Sequence, residues 1–171
     1  MPDRRLLIRL AGAALTGCAV LAACNSPGTT AAVPSASAPP ANSRVVVVHD
    51  LSIAGLGEIL VTSAGQTLYA HEPDHHHAVT CLPAGGCALA WPPLLLRPGA
   101  RLVAGTGVRA ALLGTDLSGP AGGSVVTYDG WPLYSYVGDT GPGQARGQDQ
   151  AYLWYVMSTD GHPLTHPIAA G

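Results

Sequence analysis

One segment of the chain occurs twice, and this repetition limits the possible folds more than any other feature. Residues 62–74 (TSAGQTLYAHEPD) and 127–139 (TYDGWPLYSYVGD) align at a constant offset of 65, which superposes a threonine, a glycine, a Leu-Tyr pair and a final aspartate. A shorter echo at residues 157–164 repeats the spacing from Gly161 to Leu164. Similarity at a fixed separation indicates a domain assembled from copies of one supersecondary unit.

Short runs rich in β-branched or aromatic residues alternate with glycine, proline and aspartate, a pattern typical of strands joined by tight turns. Asp129-Gly130 and Asp160-Gly161 are strong hairpin signals, because glycine takes positive φ without strain. Residues 108–113 fit a strand or one helical turn. The predicted strands are residues 45–48, 58–62, 67–71, 94–96, 124–128, 132–137 and 152–158. We therefore expect a mainly β fold, a compact antiparallel sandwich or barrel built from two similar hairpin-based repeats near residues 58–96 and 124–158.

The first 23 residues have the pattern of an export signal. Three arginines (Arg4, Arg5 and Arg9) precede an apolar run at residues 10–21 that is too short for a stable membrane span. Leu21-Ala22-Ala23-Cys24 matches a bacterial lipobox, so we expect Cys24 to carry a diacylglycerol thioether and acyl chains such as palmitate. Each buried methylene contributes roughly 0.8 kcal/mol, so two or more chains would tether the protein to the cell membrane or outer membrane. An ordinary signal peptide with an incidental cysteine is the alternative.

After the signal, composition separates a linker from a domain. Residues 24–43 begin with the lipidated cysteine and continue as an uncharged Ser/Pro/Ala segment, which we expect to be disordered because it has too little apolar surface to bury. Residues 44–171 are the size of one β-repeat domain. The chain beyond residue 23 has five arginines, no lysine and nine carboxylates. This negative balance argues against nucleic acid as a partner.

The repeated motif resembles the signature Tyr-x-aromatic-x-x-Asp of bacterial secreted-repeat lipoproteins. Tyr134, Tyr136 and Asp139 match it fully, whereas the first copy has Tyr69 and Asp74 with His71 at the aromatic position. The resemblance covers nearly all of residues 56–162, and it includes a cysteine pair before Trp91-Pro92-Pro93, the turn Gly141-Pro142-Gly143, and Trp154 followed by Asp160-Gly161. The family has no established activity, so the resemblance implies an extracytoplasmic lipoprotein without implying a reaction.

Two interpretations of the motif residues are open. Pro73 and Gly138 directly precede the aspartates and end the strands, so the tyrosines are expected to face the core while Asp74 and Asp139 open turns by accepting hydrogen bonds from nearby backbone amides. Alternatively, both tyrosines and both aspartates converge on one pseudosymmetric groove, where the carboxylates accept a ligand.

Cys81 and Cys87 remain once Cys18 leaves with the signal and Cys24 is lipidated. In an exported protein a lone close pair is most simply a disulfide, and closing this short loop would stabilise the fold by roughly 2–2.5 kcal/mol. Redox or thiolate–metal chemistry is the alternative, although the five-residue spacing differs from Cys-x-x-Cys.

Histidines are concentrated just after the first tyrosine. Imidazole nitrogens beside a carboxylate suit zinc, copper or nickel, and in an extended segment His75 and His77 share a face. The predicted metal ligands are His71, Asp74, His75 and His77, with His76 between them. The alternative is a solvated loop that binds metal only adventitiously. We expect no other cofactor.

Aromatic residues in the repeats allow two explanations. Without phenylalanine the domain needs them for its core, but stacked rings could also bind a glycan or a flat cofactor. Trp131, at a hairpin turn, is the expected exposed exception. The residues concerned are Trp91, Trp131, Trp154, Tyr134, Tyr136, Tyr152 and Tyr155.

The chain has no Gly-x-Ser-x-Gly elbow, His-Glu-x-x-His helix or phosphate-binding glycine loop, so we expect no enzyme. The expected function is a non-catalytic envelope binding or interaction module for an unknown envelope protein, glycan or small molecule. The alternatives are a metal-handling protein that uses residues 71–77, and an enzyme that acts on an envelope polymer.

Overall fold

The computed structural model describes residues 45–74, 78–81, 83–116 and 123–165, which fall within the unit Ser35–Gly171. The predicted lipidation site Cys24, the linker, and His75, His76 and His77 lie outside the described residues. The strands are β1 (Val45–Ile53), β2 (Gly57–Thr62), β3 (Tyr69–His71), β4 (Leu95–Leu96), β5 (Arg101–Ala104), β6 (Leu113–Asp116), β7 (Ser124–Tyr128), β8 (Trp131–Pro132) and β9 (Trp154–Val156). Within the same ranges, the helical segments are two 3₁₀ turns, Glu72–Asp74 and Pro83–Gly85, and one short helix, α1 (Cys87–Ala90). In the part of the chain that the structure describes, no helix is both long enough and apolar enough to cross a membrane.

The strands form several sheets, which confirms the mainly β prediction. One sheet has the order β2-β1-β5, a second pairs β3 with β9, and a third has the order β4-β7-β6 with β8 against β7. Among the described residues the sheets do not close into a barrel. Most pairs are antiparallel, but β1 and β5 are parallel.

Both predicted repeat hairpins form, and glycine makes each turn. Gly65 has φ 77° and Gly130 has φ 80°, a left-handed conformation that glycine adopts without strain. Val61 bridges to Thr67 in the first hairpin, and Thr127 to Pro132 in the second, so the first turn is one residue longer. The offset of 65 residues between the copies therefore holds after the turn. Before the turn the offset is one residue larger, because Val61 is the structural equivalent of Thr127. The superposition of Thr62 on Thr127 was wrong by that one residue.

Strands outside the repeat were predicted less well. β1 runs five residues past its predicted end and forms a hairpin with β2, while β5 and β6 were not predicted. Their sequences, RLVA and LGTD, contain few β-branched residues, so packing rather than local propensity makes them strands. The ambiguous residues 108–112 are irregular or in turns, and the strand begins at Leu113.

The two copies exchange their last strands. β9 lies at the end of the second copy but pairs with β3 of the first, where Tyr69 lies opposite Val156. Conversely, Pro93 lies near the end of the first copy and bridges to Tyr134 of the second. Backbone hydrogen bonds match across the exchange, since the Glu72 amide donates to the Leu153 carbonyl at 2.8 Å and the Val137 amide to the Ala90 carbonyl at 3.0 Å. The copies are therefore interlocked around a pseudo-two-fold axis.

Aromatic residues fill much of the core, as expected in a chain without phenylalanine. Tyr128 and Trp131 belong to one buried cluster, and Tyr69, Tyr134, Trp91 and Trp154 to a second. The prediction that Trp131 is exposed was wrong, because only 9% of its surface is accessible. Trp131 lies two residues before the buried Leu133, and alternation along an extended segment places both on the core face.

Candidate functional site

Tyr69 and Tyr134 meet at the pseudo-two-fold axis. Their backbones form an antiparallel bridge, in which the Tyr69 amide donates to the Tyr134 carbonyl at 2.8 Å and the Tyr134 amide to the Tyr69 carbonyl at 2.9 Å. In such a bridge two residues exchange both of their hydrogen bonds, so the axis passes between them. Both side chains are fully buried, as predicted for tyrosines on core-facing strands.

Each tyrosine hydroxyl donates to the aspartate of the other copy. Tyr69 Oη donates to Asp139 Oδ2 at 2.6 Å, and Tyr134 Oη donates to Asp74 Oδ2. Hydrogen bonds to a carboxylate are shorter and stronger than those between neutral groups. We call these four side chains the Tyr–Asp clasp. Because the strand ends before each aspartate, the carboxylate can reach across the axis.

The aspartates also close loops in their own copies. Asp74 Oδ1 accepts from the Thr80 amide at 2.9 Å and from the Thr80 hydroxyl, while Asp139 Oδ1 accepts from the Arg146 amide at 2.9 Å. The predicted bonds to backbone amides are therefore present, six and seven residues along the chain. No buried side-chain nitrogen or oxygen of the described residues lacks a partner. The clasp thus has the geometry of a closed internal contact rather than of a ligand groove.

The surroundings shift the pKa of the clasp residues. Burial, with the hydrogen-bonded carboxylate adding to it, raises the pKa of Tyr69 and Tyr134 far above the usual range of a phenol. Burial also raises the pKa of Asp139, although the bonds from Tyr69 and the Arg146 amide oppose it. At Asp74 burial acts in the same direction, but hydrogen bonds from His71, Thr80 and Tyr134 outweigh it and the pKa lies below its usual value. The two carboxyls are therefore electrostatically different despite their equivalent positions.

Four rings stack in a column beside the clasp, in the order His71, Trp154, Trp91, Tyr136. The centroid separations are 4.2 Å, 4.0 Å and 4.3 Å, and the two indoles are nearly parallel at 2°. Tyr69 meets Trp91 edge-on at 5.3 Å, and Tyr134 meets Trp154 edge-on at 5.2 Å. We call His71, Trp154, Trp91 and Tyr136 the aromatic column.

The column explains the third position of the signature. Tyr136 stacks on Trp91 of the first copy, and His71 stacks on Trp154 of the second. His71 therefore replaces an aromatic residue without losing the contact, because imidazole is also a flat ring. Sequence reasoning missed this exchange between copies, although one tryptophan after each tyrosine, Trp91 after Tyr69 and Trp154 after Tyr134, was a signal for it.

The structure brings two of the four predicted metal ligands together. His71 Nδ1 lies 3.1 Å from Asp74 Oδ1 and 3.1 Å from Thr80 Oγ1. This nitrogen is thus held in the hydrogen-bond network of Asp74. Within the described ranges, no group of three or more His, Cys, Asp or Glu side chains could hold a metal ion. His75 and His77 lie outside those ranges, so the proposed metal site stays a prediction.

Cys81 and Cys87 form the predicted disulfide. It joins the loop after Asp74 to the start of α1, and Cys81 is buried in the same cluster as Tyr69 and Trp91. The bond fixes the segment that leads from the first motif to Trp91. A disulfide of this kind is typical of a protein outside the reducing cytosol.

Comparison with known families supports the resemblance. Residues 117–158 match a family described as a secreted repeat of unknown function. The matched segment contains Tyr134, Tyr136, Asp139 and Trp154. It therefore includes the residues that the second copy contributes to the clasp and to the column. Curated proteins and solved structures yield no match to the chain. The family description places the repeat outside the cytoplasm.

Proposed function

Because its second repeat matches a family of secreted repeats, we propose that this chain is a membrane-tethered extracytoplasmic lipoprotein that acts as a non-catalytic interaction module. One observation carries the proposal: the polar groups of the repeated motif bond to one another inside the domain. Asp74 is fully buried and Asp139 is 6% exposed. A catalytic carboxylate must reach its substrate, whereas these two join the halves of a scaffold.

Exposed apolar side chains at matching positions support an interaction role. Leu89 is 81% exposed and Tyr152 is 79% exposed, and each lies two residues before the tryptophan of its copy. Asp149, Ala151 and Tyr152 have φ of 59°, 55° and 58°, which is unusual for residues other than glycine. Such conformations cost of order 1–3 kcal/mol each and concentrate at binding loops. We therefore propose that the domain contacts an envelope protein through these two sites.

Photo-crosslinking in cells tests the interaction role. A photoreactive amino acid at position 152 or 89 is expected to give a defined adduct, whereas the exposed position 111 gives none. Adducts at position 111 alone, or equal adducts at all three positions, would contradict the proposal. Ala111 is a suitable control because it lies in a turn outside both repeats.

The lipid anchor is tested separately, at Cys24. Labelled palmitate is expected to enter the wild-type protein and to be absent from Cys24→Ser, and that variant is expected to leave the membrane fraction. Cys18→Ser is the matched control and keeps the label. Membrane retention of an unlabelled Cys24→Ser protein would show that something other than acyl chains holds it.

Metal handling by residues 71–77 is the alternative function. His75 and His77 would supply the principal ligands, because His71 Nδ1 is held beside Asp74 and Thr80. Calorimetric titration of the full chain with Zn²⁺, Ni²⁺ and Cu²⁺ tests it against a His75→Ala/His77→Ala variant and a His162→Ala control. Submicromolar stoichiometric binding that only the double variant loses would favour this function. Weak binding that no substitution changes would dismiss it.

A further inference from the structure

The aromatic column and the clasp bring together side chains that can each be oxidised by one electron. Tryptophan and tyrosine are the side chains that most readily lose a single electron. Trp91 and Trp154 lie parallel with centroids 4.0 Å apart, so the positive charge of a radical cation would be shared between the two rings. Tyr69 and Tyr134 each touch one of these indoles by an edge. These four rings are therefore in direct contact, so an electron can pass from one ring to the next without an intervening saturated group.

Each buried tyrosine of the clasp also has a base in place for its proton. A phenol becomes strongly acidic when it is oxidised, so a stable tyrosyl radical needs an acceptor for the hydroxyl proton. For Tyr69 this acceptor is Asp139, at 2.6 Å. The Gly147 amide also donates to Tyr69 Oη at 3.2 Å, so the oxygen keeps a hydrogen bond after its proton leaves.

The two tyrosines differ in how readily their carboxylates take up a proton. Asp74 accepts from His71 and twice from Thr80 besides its bond to Tyr134, and these donors favour the charged carboxylate. Asp139 has fewer donors, namely Tyr69 and the Arg146 amide. The radical is therefore expected to settle on Tyr69, with Tyr134 as the less favoured site.

We propose that Trp91, Trp154 and the Tyr69–Asp139 pair form a one-electron relay that quenches oxygen-centred radicals at the surface of the domain. The oxygen-centred radical takes one electron through the half-buried Tyr136, which stacks on Trp91 at 4.3 Å, and it becomes an anion that takes a proton from water. The electron deficit passes from the indole pair to Tyr69, whose hydroxyl proton moves to the Asp139 carboxylate. One electron has left the protein and one proton has moved within it, while outside the protein the reduced anion has taken a proton from water and left hydroxide.

The relay needs no ligand pocket, which agrees with a clasp closed to ligands. It is also independent of the interaction role, because it uses buried rings rather than Leu89 or Tyr152. Outside the cytoplasm a protein lacks the thiol reductants of the cytosol, and a site that accepts one oxidising equivalent would spare other oxidisable groups.

Photochemical oxidation of the purified full chain tests the relay. A ruthenium(III) polypyridyl complex generated by a light flash serves as the one-electron oxidant, and freeze-quenched samples with ring-deuterated tyrosine are analysed by electron paramagnetic resonance. Wild-type protein is expected to trap a tyrosyl radical, and Tyr69→Phe is expected to lose most of that signal. Tyr128→Phe is the matched control, because Tyr128 is equally buried but donates to the Thr159 carbonyl at 2.9 Å rather than to a carboxylate.

Asp139→Asn separates proton acceptance from structural support. The amide oxygen still accepts a hydrogen bond from Tyr69 but cannot take its proton, so the tryptophan radical should live longer and the tyrosyl signal should fall. Near-UV circular dichroism checks that the variant is folded. Should it not fold, the decay of the wild-type tryptophan radical in D₂O replaces it, and a slower decay than in H₂O is expected.

Two results would overturn the relay. One is a tyrosyl signal of equal size in wild type, Tyr69→Phe and Tyr128→Phe, which would place the radical on exposed tyrosines such as Tyr152. The other is a tryptophan radical whose decay is unchanged both by Asp139→Asn and by D₂O, since the proton would then have no part in the process.

Discussion

Asp74 and Asp139 take the same place in the two copies, but their hydrogen-bond partners make them unequal. Four hydrogen bonds from three residues reach Asp74, and the pKa of its carboxyl is lowered. Burial dominates at Asp139, and the pKa of its carboxyl is raised. Identical residues in a repeat thus acquire different chemistry from the side chains that surround them.

This inequality predicts opposite pH effects on stability. A lowered folded-state pKa means that charged Asp74 stabilises the fold above the unfolded value of about 4, and that this contribution is lost as the pH falls through the folded pKa. Asp74→Asn should therefore cost about 1.5–3 kcal/mol at neutral pH and less in acid. At Asp139 the sign is reversed: burial raises the folded-state pKa, so stability is lost as the pH rises through that pKa and the carboxyl ionises. Asp139→Asn should therefore cost less than Asp74→Asn at neutral pH. Urea unfolding from neutral to acidic pH measures both, and equal costs at every pH would contradict the assignment.

Gly147 shows how close the backbone comes to the aromatic rings. A Cβ at this position would lie 2.5 Å from Trp91 Cη2 and 2.9 Å from the ring of Tyr69. We expect Gly147→Ala to destabilise the domain by about 1–3 kcal/mol, as overpacking of a core does. Gly85→Ala is the control, because a Cβ there meets nothing within 4 Å. Denaturant midpoints compare the two variants, and a Gly147→Ala midpoint equal to that of Gly85→Ala would contradict the close approach.

At the scale of elements, the exchanged strands turn a hairpin repeat into an interlocked pair. β3 has only three residues, and its partner β9 lies more than 80 residues further along the chain. A strand so short has little stability alone, so the rings beside it provide much of what holds it. The aromatic column therefore stabilises these short strands, as a longer ladder of hydrogen bonds stabilises a longer strand.

The contribution of the column can be measured at Tyr136. Tyr136→Ala removes a ring stacked on Trp91, and we expect a loss of about 1–3 kcal/mol from the lost stacking and buried area. Tyr136→Phe keeps the ring and should be nearly neutral. At the equivalent position, His71→Phe should likewise be milder than His71→Ala. Thermal unfolding orders the four variants, and a Tyr136→Ala protein as stable as Tyr136→Phe would show that the stack contributes nothing.

For the whole molecule, the exchange makes the two copies one folding unit. In solenoid repeats each unit contacts only its neighbours, and stability is roughly additive along the array. Here each copy contributes a strand, a tyrosine and an aspartate to the other, so neither can complete its core alone. Leu89 and Tyr152 lie at equivalent positions in the two copies, so each copy exposes one large apolar side chain at the surface.

We therefore predict one cooperative unfolding transition. Far-UV circular dichroism reports the sheets and tryptophan fluorescence reports the column, and the two transitions should coincide, as expected for a small two-state domain. Deleting residues 153–165 removes β9 and should unfold the first copy together with the second. Two separate transitions, or a truncated protein that keeps a folded first copy, would contradict the interlocked arrangement.

The sequence by itself determined the repeat, the hairpins, the burial of Tyr69 and Tyr134, and the Cys81–Cys87 disulfide. These follow from local rules: glycine at a turn, alternation along a strand, and a lone pair of nearby cysteines. Only the tertiary structure decided that β9 pairs with β3, that Tyr69 bonds Asp139 rather than Asp74, and that His71 stacks on Trp154. Contacts between residues 70 or more positions apart leave no periodic trace in one sequence. They depend on which segments pack together to complete the core, and local sequence rules do not specify that choice.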